Sequence, residues 1–309
     1  MNSFSDLRHF CQYIVKKYES PANASEEEKA QEFRNIYLRN LPLDIRTLRA
    51  IASACGIHVN GIDGKIFPKN IRGYHDVFED NRNIYYKKGD TISGIENTIL
   101  HEFREMIEPV FTEVCLAYTP LRTTAVHLAA NKFATAVLLP KEEFQDKVYE
   151  TGFDVIALSK LYSKSCSQVL LRMGEVLQGR LFFYSALYEF NGDQKEWKLN
   201  YWTGSSNNED PEANVYGLDG IFPKKGRSVD PGSLVDMAIQ RKRPYLAERI
   251  TLLNDLEDEG LVSLASPLNI SGITTKVILV VLLRLNRNLL EPQIERTRPV
   301  VIEGFHQHL

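Results

Sequence analysis

Three side chains in the stretch "ILHEFREMIEP", Ile99 to Pro109, have types and spacing suited to metal-dependent hydrolysis. Residues four apart on a helix share a face, so His101 and Glu105 can both point at one cation. Glu102, next to His101, can reach a water on that cation, the place of the general base in a zinc hydrolase. The pattern differs by one residue from the His-Glu-x-x-His helix of zinc proteases, with Glu105 in place of the second histidine. Zinc accepts imidazole nitrogen and carboxylate oxygen alike, provided that three protein ligands and one open position remain. The same residues also suit a solvated surface helix stitched by ordinary i,i+3 and i,i+4 pairs.

Those residues need elements to hold them. Apolar side chains at Leu7, Phe10, Cys11, Ile14 and Val15 predict a helix over residues 4–18. "SEEEKAQEFRNIYLRN" reads as a charged helix with a solvated outer face, and a further helix is expected from about Asp44, stopped by Gly56. "HVNGIDG" and "KIFPKNIRGYHDVFEDNRNIYY" carry the punctuation of short strands and turns. The site helix is expected over about Ile92 to Ile107, ending at Pro109, and another over about Thr123 to Leu139, ending at Pro140. Residues 141–178 read as helical, with a helix-turn-helix rhythm broken near Ser163 to Ser167. After Gly179 the order strand, strand, helix, strand, strand, strand suggests a small α+β sensor-like domain.

The second predicted site helix, "VHLAANKFATAVLLP", supplies a third donor. Together with "ENTILHEF" it resembles the ImmA/IrrE family of zinc-dependent metallopeptidases, with Ala130-Asn131, Phe133-Ala134 and Leu138-Leu139-Pro140 in register with the family's second signature helix. The family's third ligand is a glutamate four residues before that asparagine; here the position holds His127. The family order His, His, Glu therefore becomes His101, Glu105, His127, with two residue types exchanged and the total kept. A compensated exchange preserves ligand number, charge and hardness suited to zinc. The resemblance implies a Zn2+ site at His101, Glu105 and His127 with Glu102 as general base. It implies a regulated endopeptidase that cleaves a helix-turn-helix transcriptional repressor of the XRE type. The fold implied is α+β: a mainly helical zincin-like peptidase domain with a small sheet over 1–140, a helix-turn-helix-like helical linker over 141–178, and a GAF-like sensor domain over 179–309. A small-molecule or nucleic-acid signal at that last domain is part of the same expectation. The alternative reading is a catalytically inactive sensor that keeps the peptidase fold to bind a partner protein or DNA, and a third is a peptidase latent until its C-terminal domain is engaged.

Other residues of similar chemistry stand beside these. Asn131 can hold a ligand from behind or cap backbone. His75, in "RGYHDV", suits an oxyanion or carbonyl contact, or a plain turn histidine. Glu108 and Glu113 are alternative carboxylate ligands, while His9, His58, His306 and His308 lack partners at ligand spacing. A peptide substrate is expected to add to an edge strand in the region from "GYHDVF" to "RNIYY". Arg122, Lys160, Lys164 and Arg172 could face DNA phosphates, but Asp154 and Glu175 offset them, and a bundle helix pair is preferred. Tyr184, Tyr188, Trp197, Tyr201 and Trp202 read as strand core and identify no ligand.

Bulk properties narrow the classes. The 309 residues suggest about two domains, and a net charge of -3 gives no global field toward nucleic acid or membrane. The longest apolar run, Val277 to Leu283, is far too short to span a bilayer and reads as a buried strand. The first residues show no basic region followed by an apolar one, and Cys11, Cys55, Cys115 and Cys166 stand apart. A cytoplasmic protein with reduced thiols is the expectation.

Overall fold

The computed structural model describes residues 7–39, 41–65, 67, 71–78, 81–205, 225–249 and 260–303. The chain divides into two compact units, Met1–Lys141 and Glu142–Leu309. Both combine helices with a sheet, so the fold is α+β.

The first unit holds helices α1 (Leu7–Tyr18), α2 (Glu26–Tyr37), α3 (Ile45–Ala54), α4 (Ile92–Val114) and α5 (Thr123–Leu138). Strands β1 (Ile57–Asp63), β2 (Gly73–Phe78) and β3 (Asn81–Lys88) form a sheet in the order β1-β3-β2. Local sequence sets several boundaries. Ser25 caps α2 in a reciprocal box with Glu28, and Asp44 caps α3 by accepting from the Thr47 N–H. Gly56, at φ 73°, turns the chain out of α3 into β1.

Helix α4 lies at the centre, packed by α1, α3, α5, β2 and β3. Four phenylalanines from four helices meet around it: Phe10, Phe33, Phe103 and Phe133. Each is at most 2% exposed, and burial of such a ring stabilises by about 1.5–3 kcal/mol. This cluster joins the two helices that carry the candidate ligands.

Three features go beyond or depart from the sequence expectation. Helix α4 does not stop at Pro109 but runs through it to Val114. Interior proline costs about 3 kcal/mol, and the burial of Val110 and Phe111 just beyond it offsets that cost. Helix α2 keeps the solvated outer face, with Glu28, Gln31 and Asn35 exposed, but two of its charges turn inward: Lys29 is buried against Glu26 and Glu32 against Lys17 and Tyr13. Of the two strands expected to offer an edge, β2 is one, whereas β3 is the central strand.

Helix α6 (Lys141–Glu150) starts on the last residue of the first unit and leads into the second, where α7 (Val155–Tyr162) and α8 (Cys166–Leu177) follow. A six-stranded sheet follows, in the order β5-β4-β8-β7-β6-β9, built from β4 (Phe183–Asn191), β5 (Glu196–Ser205), β6 (Tyr245–Arg249), β7 (Leu261–Ile270), β8 (Ile273–Leu283) and β9 (Val300–Glu303). Helix α9 (Leu234–Arg241) precedes β6, and a 3-10 turn (Arg284–Leu290) with α10 (Glu291–Thr297) leads to β9. Strand β9, parallel to β6, was not expected from the sequence. Its four residues are too few to show alternation, and tertiary pairing defines it.

The apolar run of β8 sits between β4 and β7 with residues 277–283 buried throughout, as a strand covered on both faces must be. Side chains at Tyr184, Ala186 and Tyr188 join the core under α9. Alternation sends Phe183 and Ser185 to the other face, where Thr203, paired with Ser185, meets α8 at Gly174. The turn between α7 and α8 has Ser163 in the left-handed region, and Ser165 caps α8 in a box with Gln168. No residue of α8 is exposed, and Arg172 is 2% exposed beside Glu175. Ser167, Gln168, Leu171 and Glu175 are half-buried, and the helix packs against α7 and against β4 and β5, with Arg172 turned inward.

No described helix is long and apolar enough to cross a membrane. The four cysteines are free thiols, three of them buried.

Candidate metal centre

The i,i+4 spacing on α4 brings His101 Nε2 to 3.1 Å from Glu105 Oε1. The same oxygen lies 3.2 Å from His127 Nδ1 on α5, and the two imidazole rings are 4.6 Å apart between centroids. The crossing of α4 and α5 that permits this is held by Phe103 and Phe133, whose rings stack at 6.4 Å. All three donor atoms fall within 4.8 Å of one another. Ligands at about 2.0–2.1 Å from a tetrahedral zinc lie about 3.3 Å apart, close to the two separations observed.

His101 Nδ1 is 3.0 Å from Asn131 Oδ1 and donates to that amide oxygen. The Glu105 carboxyl is held below its ordinary range, first by the hydrogen bond from His101, then by the charge of His101, the bond from His127 and the nearby His75, against the opposing effect of burial. An ionised carboxylate and two imidazoles form a donor set that fits zinc. Asn131 stands behind His101, where a partner that orients a ligating histidine would stand. His101 and Glu102 are buried, Glu105 is half-buried and His127 is exposed, so the cluster opens to solvent on the α5 side.

Glu102 lies beside this cluster. Its Oε2 accepts from His75 Nδ1 at 2.7 Å, and the same nitrogen is 3.8 Å from Glu105 Oε2. The hydrogen bond to Glu102 is the largest influence raising the His75 pKa, with burial working against it. His75 reaches Glu102 because β2 runs hard against α4. A Cβ added at Gly73 would come within 2.1 Å of Thr98 Cγ2 and 2.7 Å of the Tyr85 carbonyl oxygen. Only glycine allows that approach. Within β2, His75 pairs with Ile84 of β3, which is fully buried, so the imidazole is on the side of the sheet that faces the core.

The other candidates lie elsewhere. Glu108 serves a buried ion network: its Oε2 accepts from Arg104 and its Oε1 from Tyr118 and the Leu121 N–H. Burial pushes the Glu108 carboxyl up, but these three donors outweigh it and hold the pKa below the ordinary value. Arg104, fully buried, also forks onto both oxygens of Glu26. Arg104 sits inside "HEFRE", and the sequence alone left it a solvated charge; its spacing of four from Glu108 was the signal available. Glu113 pairs with Arg8 at the surface. His9 and His58 are exposed, and His306 and His308 lie outside the described residues.

No family model matches the chain, and no curated protein matches it. Among solved structures, a Mycobacterium tuberculosis transcriptional regulator is similar with a TM-score of 0.54 at 12% identity, over 96% of this chain and 89% of that one. An A. Aeolicus nlh2 GAF domain in an inactive state aligns with a TM-score of 0.30 at 15% identity, over 48% of this chain and 88% of that one. At such identity the first likeness establishes a shared fold and nothing finer.

Proposed function

We propose that this chain is a regulated zinc-dependent endopeptidase acting on a helix-turn-helix repressor of the XRE type. The observation that carries the reading is the meeting of His101 Nε2 and His127 Nδ1 on one oxygen of Glu105, from two helices, with Asn131 behind His101. His101, Glu105 and His127 would hold the ion, which when bound supplies Lewis-acid polarisation of a peptide carbonyl. Glu102 takes the proton of the attacking water and returns it to the leaving amine. His75 engages Oε2 of Glu102, which leaves Oε1 for that proton. The edge position of β2, which carries His75, supports an extended peptide adding to the sheet beside the ligands.

Regulation is supported by architecture. A fold shared over nearly the whole chain with a protein described as a transcriptional regulator agrees with a regulatory role. The six-stranded sheet covered by α8 and α9 agrees with a GAF-like sensor unit that receives a small-molecule signal. The test pairs metal content with cleavage. Protein purified with about one zinc per chain, incubated with an XRE-type repressor from its own genome, is expected to yield two fragments, and Glu102→Gln is expected to yield none. Absence of zinc after reconstitution would sink the reading.

A second reading is a non-catalytic regulator that binds a partner protein or DNA. It is favoured by the Glu in place of histidine at Glu105 and by the engagement of Glu102 with His75. Repressor binding without cleavage, unchanged in Glu102→Gln, would select it.

A further inference from the structure

The two oxygens of Glu105 face two different sets of donors. Oε1 faces His101 and His127, whereas Oε2 faces His75. His75 Nδ1, Glu102 and Glu105 offer ligand atoms that all lie within 4.8 Å of one another, as the first set does. From this we infer a second, weaker site for a divalent cation of the zinc type, formed by His75, Glu102 and the outer oxygen of Glu105. The inference rests on the proposed metal centre and adds a form of control to it.

The donor chemistry suits a borderline cation: one imidazole and two carboxylates, a set with a charge of -2 when both acids are ionised. Glu102 has a 9% exposed side chain, so its carboxylate is fixed rather than free in solvent. The separation of 2.7 Å between His75 Nδ1 and Glu102 Oε2 is that of a hydrogen bond. A cation entering there displaces the Nδ1 proton to solvent and widens the pair by about half an ångström toward the ligand spacing of a tetrahedral ion. That cost makes the second site weaker than the first. The two ions would be bridged by one carboxylate, the arrangement of paired-metal sites. Occupation of the second site removes Glu102 from proton transfer, so excess zinc is inhibitory.

Zinc titration of the full-length, metal-stripped protein tests this, read by calorimetry and by elemental analysis after desalting. Wild type is expected to take up a tight equivalent and then a weaker one with proton release. His75→Ala and His75→Gln should keep the tight equivalent and lose the weaker, and His127→Ala should lose the tight one. His75→Gln keeps a hydrogen-bonding side chain on the edge strand, so loss of the weak equivalent there reports ligation rather than folding, and circular dichroism confirms the fold of each variant. A single equivalent in wild type and in both His75 variants would overturn the second site while the first stood. Two equivalents in both would place the second ion elsewhere and overturn it too. No tight equivalent in any protein would remove the metal centre itself.

Discussion

Phe103 of α4 and Phe133 of α5 stack with ring centroids 6.4 Å apart and planes 12° apart. Each aromatic ring is two residues from a polar group of the centre, Phe103 from His101 and Phe133 from Asn131. The pair therefore links the packing of the core to the placement of the candidate ligands. Phe133→Ala removes a fully buried ring and is expected to cost about 3–5 kcal/mol in urea denaturation. Because His127 rides on α5, the same variant should bind zinc more weakly under conditions where it remains folded.

Asn131 separates orientation from ligation. Asn131→Ala leaves the three candidate ligands in place but frees His101 Nδ1. Zinc affinity, measured by competition with a chelator, is expected to fall about 10–100-fold. His127→Ala or Glu105→Ala should lose the ion outright. Equal loss in all three variants would mean that Asn131 acts on folding.

The buried network around Arg104 gives a pH-dependent stability. Glu108 has a folded pKa below its unfolded value, so its contribution is full above the unfolded value and fades as pH falls through the folded one. Glu108→Gln leaves the fully buried Arg104 short of one partner and is expected to cost on the order of 3–5 kcal/mol near neutral pH. The gap between wild type and variant should begin to narrow as pH falls below about 4 and close as pH falls through the depressed folded pKa, where the wild-type carboxylate is protonated. A gap that stayed constant across that range would show that the charge of Glu108 does not contribute.

Gly73 tests how β2 is set against α4. Gly73→Ala places a methyl 2.1 Å from Thr98 Cγ2, and overpacking of this kind costs about 1–3 kcal/mol. Thr98→Ala should recover part of the loss and no more, since the Tyr85 carbonyl oxygen also crowds the position. A double-mutant cycle on thermal stability reads the coupling.

Gly174 does the same for the second unit. A Cβ there would come within 2.0 Å of Thr203 Oγ1, where α8 crosses β5. Gly174→Ala is expected to destabilise by about 1–3 kcal/mol unless Thr203→Ser or Thr203→Ala relieves it. An unchanged melting temperature would mean that α8 shifts outward freely.

What the sequence by itself determined was local. His101 and Glu105 share a helix face because α-helical periodicity is a property of neighbouring residues, and the caps at Ser25, Asp44 and Ser165 follow from side chains within three positions. The place of His127 was readable through its register with Asn131 and Phe133, and the buried strand β8 through its unbroken apolar run. The tertiary structure alone decided what depends on distant segments meeting. It carried α4 past Pro109, buried Arg104 between Glu26 and Glu108, covered α8 so that it faces a sheet, and added β9 beside β6. It also brought His75 onto Glu102, 27 residues away in sequence, through a glycine whose missing side chain lets an edge strand touch a helix. Spacing along a chain dictates which residues can share one helix face; which faces meet is set by the packing of the core.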